Sequence, residues 1–160
     1  METVRVALAG CGYIGKVHAQ VFSQMNNVLL TGVCDINEQA AQEVAGLYGC
    51  PAFTTLEGLL STKPDALDIC LPDGRHLQAI LAAMDKGLHI FVEKPLTDNM
   101  SDAKLVMARA KSYEKKATVG FVCRFDPRFM AAREAIMSGS LGEIQYMTSK
   151  RVSPIEGGLR

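Results

Sequence analysis

Val4-Arg5-Val6-Ala7-Leu8-Ala9-Gly10-Cys11-Gly12-Tyr13-Ile14-Gly15 is the stretch on which the fold turns. Val4 to Ala9 reads as a buried strand, and Gly10-Cys11-Gly12 ends it. From Ile14 the spacing changes: Ile14, Val17, Val21, Phe22 and Met25 fall on one face of a helix. Gly10, Gly12 and Gly15 therefore form a GxGxxG turn between a strand and a helix. In that setting the first glycine permits the tight turn and the second lets backbone approach a pyrophosphate. The third lets helix and strand pack closely, and the helix amino terminus meets the phosphate charge. Twenty residues beyond Gly15 an acid, Asp35, stands at the end of the next apolar run, Val28–Cys34. Turn, helix and acid at these spacings are the fingerprint of a dinucleotide-binding βαβ unit. Tyr13 and Ile14 in the turn and Ile36 after the acid belong to the same cofactor-facing set. A carboxylate at Asp35 accepts hydrogen bonds from both adenine-ribose hydroxyls and repels a 2′-phosphate. Ile36-Asn37-Glu38 brings no Arg or Lys to hold such a phosphate. The cofactor expected is NAD; a helix cap is the other reading of Asp35.

Outward from this unit, short apolar runs alternate with helical spacing. Residues 37–48 place Ala41, Val44, Ala45 and Tyr48 at helical positions. A short segment at Ala52-Phe53 and a small helix near 56–60 lead to a strand over 67–71. Helix 74–86 carries Leu77, Ile80, Leu81 and Met84 on one stripe, with Gly87 suited to its carboxyl end. His89 to Val92 is the next strand. Asn99, with Asp102 three residues on, opens a helix through Ala110, and Ala117 to Val122 is a last strand. Strands apolar on both faces, each followed by a helix, define the fold class as α/β: a doubly wound parallel sheet covered on both sides. Residues 1–123 form this domain. From 124 onward the pattern differs, with a helix at 127–138 and then an alternating strand over 143–152. Ile144, Tyr146, Thr148 and Val152 of that strand face one way. This segment reads as the start of a second, α+β domain for substrate binding and oligomerisation. Its strand is expected to pair with another copy of the chain or with residues beyond the sequence.

Composition narrows the class of function. Lys plus Arg and Asp plus Glu each number 17, which leaves no overall field to attract nucleic acid or an anionic membrane. No apolar window is long enough to span a bilayer, and the amino terminus does not read as a secretory leader. Five cysteines without CxxC spacing argue against a disulfide framework or a metal site and for a reducing, cytoplasmic setting.

In a doubly wound sheet the carboxyl ends of the strands form the ligand crevice. Leu71-Pro72 and His76 stand at one such end and are candidates for the cofactor site, though a solvated or capping His76 fits the sequence equally. His18 reads as a packing residue, and His89, at the start of a strand, has no assigned role. Glu93-Lys94-Pro95 follows a strand directly, and the proline restricts Lys94 to an extended backbone. An ammonium there is able to orient a substrate hydroxyl and shuttle its proton. A surface Lys–Glu pair is the plainer reading.

Taken in order, Gly10–Gly15 with Asp35, Leu71-Pro72 with His76, Glu93-Lys94-Pro95-Leu96, Gly120-Phe121 and Arg124-Phe125-Asp126-Pro127 resemble the glucose–fructose oxidoreductase/inositol dehydrogenase (Gfo/Idh/MocA) family. Leu141-Gly142-Glu143-Ile144 is similar to that family's entry into its second domain. The resemblance implies an NAD-dependent dehydrogenase of a sugar, inositol or related polyol. It makes Lys94 the catalytic or substrate-orienting residue and puts Glu93 and Arg124 near the nicotinamide end. Family members run about twice this length, and their second domain supplies an Asp and a His with no counterpart here. The 160-residue chain is accordingly expected to bind NAD, to lack turnover by itself and to self-associate. A non-catalytic NAD-binding or sensor module is the alternative.

Overall fold

The computed structural model describes residues 2–150 and Val152. Six strands, β1 (Val4–Ala9), β2 (Val28–Cys34), β3 (Ala52–Phe53), β4 (Ala66–Ile69), β5 (His89–Val92) and β6 (Ala117–Val119), form one sheet in the order β3-β2-β1-β4-β5-β6. Every pairing is parallel. The order reverses between β1 and β4, which is the topological switch point of a Rossmann sheet.

Alternation along β1 divides the core. Ala7 and Ala9 join a cluster with Leu59 and Leu60 of α3 (Leu56–Leu60) and with Ala79, Ile80, Ala83 and Met84 of α4 (His76–Asp85). Val106 of α5 (Met100–Ala110) completes that side. Leu8 points the other way, to Ala19 of α1 (Tyr13–Ser23) and to Ala41, Val44 and Ala45 of α2 (Glu38–Tyr48). Side chains of period two on each strand thus feed two apolar layers, and both faces of the sheet are covered.

Local chemistry sets the helix ends. Asn37 accepts from the backbone N–H groups of Gln39 and Ala40, Thr55 from Gly58 and Asn99 from Asp102. Asn37 thereby satisfies two of the orphan donors of a first turn, and Thr55 and Asn99 one each. Gly49 and Gly87 take left-handed conformations just past α2 and α4, a conformation that costs glycine nothing.

One expectation needs correction. The stripe Ile14, Val17, Val21 and Met25 is not the buried face of α1: Val17, Val21 and Met25 are 37%, 45% and 46% exposed. Gly15 and Ala19 are buried instead. A Cβ on Gly15 would stand 1.9 Å from the Gly10 carbonyl oxygen, so the helix approaches the sheet on its smallest residues and leaves Val17 and Val21 largely outside. Residues 143–150 make no ladder within this chain, where the expected strand takes its partner from another copy or from residues beyond the sequence; residue 151 lies outside the described residues. A strand exists only where another edge pairs with it, and the half-apolar alternation of 143–150 meets no such edge among the described residues.

Contacts divide the chain after Phe121. The second unit opens with a 3-10 turn, Val122–Phe125, and α6 (Pro127–Met137). Asp126 caps α6 by accepting from the Arg128 N–H, and Pro127 sits at the first helical position, where its missing N–H costs nothing. The boundary expected at 123/124 falls inside the 3-10 turn.

Candidate cofactor site

Parallel hydrogen bonds carry the ladder past the strand ends and set the site's backbone. Gly10 N–H donates to Cys34 O at 2.7 Å, and Cys70 N–H to Ala9 O at 2.7 Å. Glu93 N–H donates to Ile69 O at 2.9 Å, and Gly120 N–H to Val92 O at 2.7 Å. The glycine turn, Asp35, Leu71, Lys94 and Gly120 therefore follow the carboxyl ends of neighbouring strands along one rim of the sheet.

The three glycines of the turn differ in what surrounds them. Gly10 has φ +101°, and a Cβ there would lie 2.3 Å from Cys70 O. Gly15 is closed off by Gly10 itself. Gly12 has nothing within 4 Å of a built Cβ, so the turn presents bare backbone to open space at the head of α1. Gly12 also caps α1 without any side-chain hydrogen bond, and no acid occupies that first turn. By contrast α2, α3 and α5 have side-chain caps and acids at their starts. A helix terminus left positive and bare suits a bound pyrophosphate, and the residues present fit a dinucleotide.

Asp35 is half-buried at the end of β2. Its Oδ2 accepts from Cys11 N–H at 2.8 Å and its Oδ1 from Asn37 N–H at 2.9 Å. The carboxylate is thereby fixed against the glycine turn, with lone pairs remaining on both oxygens for a ribose diol. Asn37, not Asp35, caps α2. Ile36 is 77% and Tyr13 78% exposed, and both stand open beside the turn and the acid.

His76 is fully buried. Its Nδ1 lies 2.8 Å from Pro95 O and its Nε2 2.8 Å from Leu71 O. Both ring nitrogens are spent on backbone, so the ring ties the loop after β4 to the loop after β5 and does not itself face a ligand. Pro72 and Lys94 are exposed and Leu71 half-buried. Lys94 donates its backbone N–H to Glu93 Oε2 at 3.1 Å, while Glu93 is buried. Arg124 belongs to the second unit, in its 3-10 turn.

The sequence reading missed a cluster beneath this rim. Asp68, 1% exposed in the middle of β4, accepts from His18 Nδ1 at 2.8 Å. His18 Nε2 stands 3.6 Å from Glu93 Oε1, and Cys70 Sγ lies 3.3 Å from His18 Nδ1. The hydrogen bond to Asp68 raises the proton affinity of His18 above its usual range, against the opposing pull of burial. Burial, then Asp68 and Glu93, push the Cys70 thiol up, so it remains S–H. Burial and then Asp35 likewise raise Cys11, to about 12. The signal was available: Leu67-Asp68-Ile69-Cys70-Leu71 puts a lone carboxylate in a strand apolar on both faces, and a buried charge requires a partner.

Comparison with known proteins decides the family. Residues 4–121 match the model of the oxidoreductase family with an NAD-binding Rossmann fold, Gfo/Idh/MocA. The chain belongs to that family. Inositol 2-dehydrogenase of Rhizobium meliloti (strain 1021) is 38% identical to this Gfo/Idh/MocA chain over 146 residues, 91% of the chain and 44% of the relative. D-glucoside 3-dehydrogenase of Escherichia coli (strain K12) is 33% identical over 92% of the chain and 43% of the relative. Among solved structures, scyllo-inositol dehydrogenase of Lactobacillus casei with bound NAD(H) and scyllo-inositol superposes with a TM-score of 0.85 at 25% identity. It covers 89% of the chain and 43% of that structure. The chain thus spans less than half the length of these relatives and carries the family's NAD-binding Rossmann domain.

Proposed function

We propose that this chain is the cofactor-binding half of an NAD-dependent dehydrogenase acting on a secondary hydroxyl of a sugar, inositol or related polyol. The observation that carries the reading is an exposed lysine, Lys94, on the same strand-end rim as a bare glycine turn and a carboxylate, Asp35, fixed against that turn. The names of the relatives, inositol and glucoside dehydrogenases, support the substrate class. NAD, when bound, accepts or returns the hydride; the protein's residues bind, orient and move the proton.

In this reading Gly10, Gly12, Tyr13, Ile14 and Gly15 hold the pyrophosphate, and Asp35 with Ile36 takes the adenine ribose. Leu71 and Pro72 lie near the cofactor, Glu93 supports the nicotinamide end, and His76 shapes the loops there through the carbonyls it binds. Lys94 hydrogen-bonds the substrate hydroxyl oxygen and orients it; as a neutral amine it takes the hydroxyl proton when the carbinol carbon gives up its hydride, and as an ammonium it returns that proton in the reverse direction. Residues from 124 onward begin a substrate and oligomerisation domain, through which the protein forms a homo-oligomer. The buried, free thiols suit a reducing cytoplasm.

A steady-state assay with NAD and a polyol, on a chain carrying both domains, tests this. Lys94→Ala is expected to lower kcat by roughly 100-fold, the range of a positioned acid–base group, with NAD affinity little changed. A near-normal kcat would reduce Lys94 to a surface residue, and no turnover with any polyol would leave a binding module.

A further inference from the structure

Three side chains from three elements meet beneath the Lys94 loop. His18 lies on α1, about one turn after Gly15; Asp68 is in β4; Glu93 follows β5. Asp68 takes the Nδ1 hydrogen of His18 at 2.8 Å, which aims Nε2 at Glu93 Oε1, 3.6 Å away. The other Glu93 oxygen accepts the Lys94 N–H at 3.1 Å. Gly120 closes the remaining side, since a Cβ there would sit 2.8 Å from Glu93 Oε1. Phe22 and Phe91 present ring edges or faces to the imidazole. The titratable groups facing His18 are therefore Asp68 and Cys70 from the β4 side and Glu93 from the β5 side.

We propose that His18 is the positioning residue of the Lys94 loop: anchored by Asp68, it holds the Glu93 carboxylate that in turn fixes the Lys94 backbone. The function served rests on the dehydrogenase reading of Lys94; the geometry does not. A neutral imidazole has one N–H, which Asp68 takes, and its Nε2 lone pair then repels Glu93. An imidazolium donates at both nitrogens and attracts both carboxylates. Asp68 favours that charged form. Since His18 rides on the helix whose amino terminus receives the pyrophosphate, the same link joins the cofactor's phosphate end to the loop beside its reactive end.

The sign follows from linkage. A histidine whose proton affinity is raised in the folded chain contributes fully below its unfolded value and loses that contribution as pH rises through the folded one. NMR on the 160-residue chain reads both ends of the link: His18 ring nitrogen shifts, and the Lys94 amide's hydrogen-exchange protection factor across the His18 titration. In the wild type, protection of the Lys94 amide is expected to fall roughly tenfold as the ring loses its proton. His18→Asn keeps a donor for Asp68 but does not reach Glu93, and should show the low value at every pH. His18→Gln puts an amide nitrogen near the Nε2 position, and should restore protection without pH dependence. A Lys94 amide indifferent to the ring titration, or equal protection in His18→Asn and wild type, overturns the proposal. If His18→Asn does not fold, the wild-type titration alone decides. Neither reading uses cofactor or turnover, so failure here is distinct from failure of the dehydrogenase reading, which the Lys94→Ala assay decides.

Discussion

The two units of the chain are built from similar residues and treat them differently. In the Rossmann unit α2 buries Ala41, Val44 and Ala45, and α4 buries five residues including Ile80 and Met84. In the second unit α6, equally well capped, buries none: Phe129 is 54%, Met130 53% and Met137 71% exposed. Capping and propensity start a helix, but they do not give it a core. A helix gains most of its stability in a protein from the face it packs, and among the described residues only the first unit pairs its helices with a sheet.

The sharpest way to break that comparison is to truncate one large side chain in each unit. Leu67 is fully buried in β4, and Leu67→Ala should cost about 3 kcal/mol, as expected for a leucine in a packed core. Phe129→Ala in α6 should change stability by less than about 0.5 kcal/mol, as at other exposed sites. Urea titration of the two variants decides; comparable losses would mean that α6 is packed in solution.

The glycine turn makes the same contrast inside one motif. Gly15→Ala forces a methyl into the Gly10 carbonyl and should destabilise the Rossmann unit by about 1–3 kcal/mol. Gly12→Ala meets only open space, so melting should not move, yet NAD should bind at least roughly tenfold more weakly, about 1.4 kcal/mol. Thermal melts beside calorimetric titration separate the two. A Gly12→Ala chain with unchanged NAD affinity would remove the pyrophosphate from that turn.

What the sequence made legible follows the same division. The strand–turn–helix and the acid at Asp35 could be read directly, because each glycine and carboxylate has a local reason to stand there. The cap at Asn99 also follows from pattern. The buried face of α1 did not, because close approach on Gly15 and Ala19 reverses what apolar spacing suggests. Nor did the His18–Asp68–Glu93 contact, whose members lie 50 and 25 residues apart in the sequence and meet only when β4 and β5 pair. His76 looked like a ligand residue because of its place at a strand end; its role as a brace depends on Pro95 O, nineteen residues away. Residues 143–150 make no ladder, since local alternation does not supply the partner edge that the expected strand takes from another copy or from residues beyond the sequence.

The central claim is that the rim at the carboxyl ends of β1 and β2 binds NAD and that Asp35 selects it. Isothermal titration of the 160-residue chain with NAD and NADP tests this without any need for turnover. NAD is expected to bind at least about tenfold tighter, a gap of about 1.4 kcal/mol, with the preference reversed in an Asp35→Ser, Ile36→Arg double variant. Equal or tighter binding of NADP by the wild-type chain would contradict it.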